Sequence, residues 1–195
     1  ADSSLGYMIA RYAEWFGDDV AWVVHDGAVD VAALDAALGR AIEAREPVAL
    51  LGTSFAFVHA DDALGARRYA LPSGSRIMQT GGFKGRSRTI EPDAMRAMLA
   101  SRYGVPEPFI VAEYGMTELS SQLWESTLAE TLTGRVGARR LLAPGWMRVM
   151  PVSPDALAPI AGPAEGLFRL DDMVNLDTIA AIQTSDRVVR CEDGF

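Results

Sequence analysis

The chain has 195 residues, 49% of them hydrophobic, and a formal net charge of −8. That is enough apolar material for one domain, or for one large and one small domain, with a substantial core. The acidic balance argues against general nucleic-acid binding and against an anionic membrane surface; the single Cys191 excludes an internal disulfide framework and a cysteine-based zinc site, and two distant histidines, His25 and His59, argue against a histidine-rich one.

Taken in chain order, Leu5, Met8, Ile9, Tyr12, Trp15 and Phe16 recur near a 3.6 period, which predicts a helix over 3–16 capped by Ser3 or Ser4. VAWVVH (20–25) is a short β-rich run. Residues 30–45 form a helical pattern with Asp30 as N-cap. PVALLG (47–52) has the texture of a buried strand, and SFAFVHADDAL (54–64) that of a helix. SRIMQTGG (75–82) reads as strand then turn. In EPDAMRAMLASRYG (91–104), Pro92 sits where a first helical turn accepts proline and Gly104 where a helix stops. FIVAEYG (109–115) is again strand-like, and MTEL then looks like the start of a helix.

After 134 the texture changes. GWMRVMPVS, GLFRLDD, TIAAIQTSD and RVVRCEDGF are short strand-like runs divided by Gly, Pro and Asp. The expected fold is α/β: a mainly parallel sheet flanked by helices over 1–133, followed by a small antiparallel β subdomain over 134–195. No apolar run approaches the roughly 20 residues of a spanning helix, and the N-terminus lacks the pattern of a signal peptide. The expectation is a soluble, cytoplasmic protein.

In an open α/β sheet, ligands bind beyond the carboxyl ends of the strands. Three such ends carry polar groups: Gly52, Thr53 and Ser54; TGGFKGRSR (80–88); and EYGMTE (113–118). In the second, glycines allow backbone N–H groups to approach an anion, and Lys84, Arg86 and Arg88 add charge. It is either a phosphate contact or a solvated basic turn, and it is not a P-loop. In the third, Thr117 either caps a helix with Glu118 in its first turn, or Tyr114, Thr117 and Glu118 supply a flat ring, a hydroxyl and a metal-binding carboxylate. Asp186 either starts a turn or accepts the hydroxyls of a ribose.

YGMTE (114–118), followed about 70 residues later by TSDRVVRCEDGF (184–195), resembles the adenylate-forming superfamily of acyl-CoA synthetases, whose patterns are like YGxTE and TGDxxxxxxDGY. The first motif matches in full. In the second, Ser185 replaces Gly and Phe195 replaces Tyr. QTGGFKGRSR, EYGMTELSSQ and RLDDMVNLDTIAAIQTSD together look most like acyl-protein synthetases of the LuxE type, with phenylacetate-CoA ligases next. The resemblance covers 45–195 well and 1–44 loosely.

The resemblance implies part of an adenylate-forming N-terminal domain, ATP and Mg²⁺ as cofactors, a fatty or other carboxylic acid as substrate, and a thiol of a protein or of CoA as acyl acceptor. Tyr114, with Gly115 beside it, would stack on adenine. Thr117 would contact the α-phosphate, Glu118 would hold Mg²⁺, and Asp186 would bind the ribose hydroxyls. Gly81 and Gly82 would sit at the adenine and acyl pocket. Lys84 and Arg86 belong to the LuxE-like pattern. GTSFAFVH (52–59) would line the acyl side, with His59 a packing residue rather than a base. Cys191 precedes DGF and does not inherit the acyl-accepting role.

The family's Ser/Thr/Gly-rich phosphate loop is not found in the sequence; PSGSR (72–76) does not match it. The family's pattern also continues past DGF into a hinge and a C-terminal portion. The chain is therefore expected to be the middle of a larger enzyme, weakly active or inactive by itself, or alternatively a truncated paralogue. Exposed apolar surface would then favour a homo-oligomer. Two other readings remain open: an aryl- or acyl-CoA ligase of the phenylacetate type, and a non-catalytic nucleotide-binding module.

Overall fold

The computed structural model describes residues 4–81, 90–135, 137–191 and 194–195. Their contacts divide them into two compact units, Ala1–Ala112 and Glu113–Phe195.

The first unit opens with α1 (Ser4–Phe16), which buries none of its residues. Of VAWVVH, only Val24–His25 is strand (β1), and it pairs antiparallel with β2 (Ala28–Val29). The reversal is local chemistry: Asp26 and Gly27 have φ of 52° and 80°, and an Asp-Gly pair at two positive φ values makes the tight hairpin turn that suits strand twist. Helix α2 (Val31–Ala44) begins at Asp30, whose carboxylate accepts from the Ala33 N–H at 2.9 Å. Strand β3 (Ala49–Thr53) leads directly into α3 (Ser54–Leu64), with the Thr53 hydroxyl capping the helix at Ala56 N.

Strand β3 pairs in parallel with β4 (Arg76–Thr80), from Ala49↔Arg76 to Thr53↔Thr80. Helix α4 (Pro92–Tyr103) has Pro92 in its first turn and ends on Gly104 in the left-handed conformation, φ 67°. A 3₁₀ turn over Glu107–Phe109 delivers the chain to β5 (Ile110–Tyr114), the next strand of the sheet after β4. One core joins these elements: Leu34 and Leu38 of α2, Val58 and Leu64 of α3, Ile77 of β4, Leu99 and Tyr103 of α4, and Ile110 of β5. Arg102 is buried at the edge of this layer. It donates to the Asp61 carboxylate and to the Asp61, Gly65 and Arg67 carbonyls, so its charge is both paired and hydrogen-bonded.

In the second unit the end of β5 pairs antiparallel with β6 (Leu123–Glu125), and β6 with β7 (Leu141–Leu142). The α/β class with a small antiparallel sheet is observed, and the central sheet is mixed. The connection 115–122 is shorter than the dozen or so residues a parallel crossover needs, so the chain must return antiparallel. No helix follows Gly115: residues 117–118 form a turn, and the next helix is the short α5 (Thr127–Leu132). Strands β8 (Met147–Val152), β9 (Glu165–Asp172) and β10 (Ala181–Val189) make an antiparallel sheet with β9 in the centre. The part of TIAAIQTSD from Ala181 and the start of RVVRCEDGF thus belong to one strand. Leu119, Leu123, Met147, Val149, Phe168, Leu170 and Val188 form the core of this unit. Among the described residues, no helix is long and apolar enough to cross a membrane.

Candidate functional site

The second unit brings Tyr114 to Asp186. Tyr114 ends β5, fixed in register opposite Leu123. Its ring leans on Phe168, centroids 5.2 Å apart at 57°, and Phe168 is 2% exposed. The Tyr114 hydroxyl donates to Asp186 Oδ2 at 2.6 Å. Burial, and then the hydrogen bond and charge of Asp186, push the phenol well above the ordinary tyrosine range.

Asp186 does not start a turn. It lies on a bulge of β10, where Gln183 faces Arg169 and Arg187 faces Leu167, so the stretch 184–186 stands opposite Phe168 alone. A bulge re-aims side chains that a regular ladder would alternate, and here it leaves the Asp186 carboxylate exposed. The bulge is pinned from within: the Asp186 N–H donates to Thr184 Oγ1 at 3.1 Å, and that hydroxyl donates to the Phe168 carbonyl at 2.9 Å.

Gly115, Thr117 and Glu118 follow Tyr114 in the turn. A Cβ on Gly115 would meet the Glu113 carboxylate, the end of a side chain that would have to shift. Thr117 and Glu118 are exposed. Thr117 therefore caps no helix. The reason is that the amides which would continue a helix are taken by side chains. Ser120 N–H donates to Asp172 Oδ2 at 3.1 Å and to Asn175 Oδ1 at 2.9 Å, and Ser121 N–H to Asp172 Oδ2 at 2.9 Å. Ser121 Oγ donates to Asp172 Oδ1 at 3.0 Å and accepts from Trp146 Nε1 at 2.9 Å, while Asn175 Nδ2 donates to the Glu118 carbonyl at 2.6 Å. This clamp sets the course of the turn that carries Thr117 and Glu118.

Sequence reasoning missed Asp172, Asn175 and Trp146. A signal was present in the strand's own alternation. Gly166, Phe168, Leu170 and Asp172 occupy every second position of β9 and all are buried, so period 2 puts an aspartate on the core face, where it must be hydrogen-bonded.

Gly81 belongs to the first unit. It has φ 72°, is exposed, and its carbonyl accepts from Ser54 Oγ at 2.8 Å. Gly82, Lys84, Arg86 and Arg88 lie outside the described residues, as does Asp193. His59 is exposed and rests edge-on against Phe55. Gly52, Ala56 and Phe57 border an apolar cavity of about 60 Å³, room for about two waters and not for a fatty chain. In the second unit an open cavity of about 460 Å³ lies beside the clamp, lined by Ser121, Trp124, Leu142, Pro144, Trp146 and Val174 among others.

Glu118 makes no ion pair among the described residues, and these contain no cluster of three or more His, Cys, Asp or Glu able to hold a metal. One free carboxylate is still compatible with Mg²⁺, which keeps several waters and is commonly held by one or two carboxylates together with substrate phosphates.

No family model matches the chain, and no curated protein matches it significantly. Solved structures do. The chain is similar to a luciferase-like enzyme of the mealworm Zophobas morio, with TM-score 0.54 and 14% identity over 82% of this chain and 38% of that one. It is similar to a benzoate-CoA ligase of Burkholderia xenovorans, with TM-score 0.52 and 14% identity over 84% of this chain and 32% of the other. It is also similar to the McyG adenylation and carrier-protein structure complexed with phenylalanyl-adenylate, with TM-score 0.51 and 16% identity over 81% and 27%. The chain thus spans about a third of the length of these structures. At such identity the likeness is one of fold: this chain shares its fold with part of each of these structures.

Proposed function

We propose that this chain forms part of an enzyme that activates a carboxylic acid with ATP, giving an acyl-adenylate and pyrophosphate, and then passes the acyl group to a thiol. The observation that carries the reading is the meeting of Tyr114 with Asp186: an aromatic ring and an exposed carboxylate, far apart in sequence and 2.6 Å apart at their polar tips. A ring for the adenine and an acceptor for the ribose are the two groups an adenosine moiety needs side by side. The fold shared with a benzoate-CoA ligase and with a structure holding phenylalanyl-adenylate supports it.

In this reading Thr117 donates to the α-phosphate and Glu118 holds Mg²⁺. Bound Mg²⁺ would neutralise phosphate charge as pyrophosphate departs. The residues of the chain contribute mainly position and charge complementarity. Of the two cavities described, only the one beside the clamp, about 460 Å³, has room for an acyl or aryl group. We take the acceptor to be a protein thiol, as in the LuxE-like pattern. The phenylacetate type, with CoA as acceptor, is the second reading, and the aromatic lining of that cavity by Trp124 and Trp146 favours it.

The test is the thermal shift of the chain with AMP and with a non-hydrolysable acyl-adenylate mimic, beside Tyr114→Ala and Asp186→Ala. Ligand at a hundredfold excess over Kd stabilises the native state by about 2.7 kcal/mol. A shift in the wild type that disappears in both folded variants supports the site. No shift with either ligand, in a folded chain, refutes it.

A further inference from the structure

The hydrogen bond between Tyr114 and Asp186 is more than a sign that two motif residues meet. An aspartate on a bulge is poorly held by its strand, because the ladder that would fix it is interrupted. Its backbone is restrained by Thr184, but that contact reaches only the N–H. The aspartate χ2 torsion is broad and roughly two-fold, so an exposed carboxylate rotates unless something grips it. Tyr114 grips it. The tyrosine is itself fixed by strand pairing at Leu123 and by the Phe168 ring, and Phe168 also anchors Thr184 through its carbonyl. Both ends of the contact therefore hang from one buried residue.

The chemistry of a carboxylate leaves room for a ligand. It offers about four lone-pair sites. The phenol takes one, on Oδ2, and among the described residues Oδ1 receives no hydrogen bond. Two vicinal hydroxyls can then be accepted without displacing Tyr114.

We infer that the Tyr114 hydroxyl is a positioning group, which turns the Asp186 carboxylate so that its open oxygen meets the 2′- and 3′-hydroxyls of a ribose, making Tyr114 a determinant of ribose recognition apart from any stacking by its ring. The inference rests on the proposed adenylate site.

Tyr114→Phe separates the two roles, since it keeps the ring and removes the hydroxyl. AMP and 2′,3′-dideoxy-AMP are titrated calorimetrically against the wild-type chain, Tyr114→Phe, Asp186→Asn and the double variant. The expected result is that Tyr114→Phe weakens AMP by roughly two- to tenfold, the cost of ordering one freed side chain on binding, and leaves dideoxy-AMP unchanged. In the Asp186→Asn background the same change should have no further effect on the ratio. A purely structural role would lower both affinities alike, and that outcome, or an unchanged ratio, overturns the inference while leaving the adenylate site intact. Wild-type chain that binds neither nucleotide overturns both. If Tyr114→Phe does not fold, the phenol is followed by ultraviolet titration in wild type and Asp186→Asn. Loss of the carboxylate should bring one tyrosine back toward its ordinary titration, and no change refutes the coupling.

Discussion

Replacing Asp172 by alanine tests whether the turn after Tyr114 is built by side chains. Asp172 is fully buried and accepts from Ser120 N–H, Ser121 N–H, Ser121 Oγ and Val174 N–H at 2.9 to 3.2 Å. Ser120 keeps Asn175 as a second acceptor. The Ser121 amide, the Ser121 hydroxyl and the Val174 amide do not. A hydrogen bond to a charged group contributes about 1.5–3 kcal/mol, and a buried donor left alone costs about 1–3 kcal/mol. Ser121 is 5% exposed, so water enters poorly there, whereas Val174 is 44% exposed and recovers a water. Removing the carboxylate also relieves its own desolvation, which offsets part of the loss. The balance is a destabilisation of about 3 kcal/mol, a large share of a typical 5–15 kcal/mol. Urea unfolding monitored by tryptophan fluorescence reads it directly, since Trp146 donates to Ser121. Arg187→Ala, which opens an exposed pair with Glu165, is the control and should stay within about 0.5 kcal/mol. A midpoint for Asp172→Ala as close to wild type as that control would refute the clamp.

The buried Tyr103 makes stability fall at alkaline pH. Burial, ahead of the neighbouring charges, pushes its phenol up to about 12. The native state therefore holds a proton that the unfolded chain releases near 10, and the stabilisation is complete below pH 10 and lost as pH rises toward 12. Tyr103→Phe should flatten that slope in denaturant midpoints measured from pH 9 to 11.5. Gly104→Ala should destabilise by about 1–2 kcal/mol in thermal melts, because alanine disfavours φ 67° and its Cβ would lie 3.0 Å from the Tyr69 carbonyl oxygen. Arg102→Ala removes a buried guanidinium that donates to the Asp61 carboxylate and to the Asp61, Gly65 and Arg67 carbonyls, and since Arg68 also donates to the last two, a loss of about 1–3 kcal/mol is expected by chemical denaturation.

Local chemistry was legible in the sequence. Asp30 caps α2, Pro92 opens α4 and Gly104 closes it, and the period-2 runs after 145 are strands. Each depends on residues within a turn or two of one another, so the information is contiguous. The Asp26-Gly27 hairpin was equally local and was overlooked. The motif resemblance also drew attention to Tyr114 and Asp186, whose polar tips the fold brings to 2.6 Å. What the sequence could not decide is what MTELSSQ becomes. Its local signals suit a helix start, yet the amides of Ser120 and Ser121 are taken by Asp172 and Asn175, more than 50 positions away. Nor could it decide that TSD and RVV are one bulged strand, since a bulge exists only relative to the partner strand β9. Propensity acts through neighbours in the chain and is worth tenths of a kcal/mol per residue. A buried carboxylate with several donors outweighs it, and its partners are found only once the chain has folded.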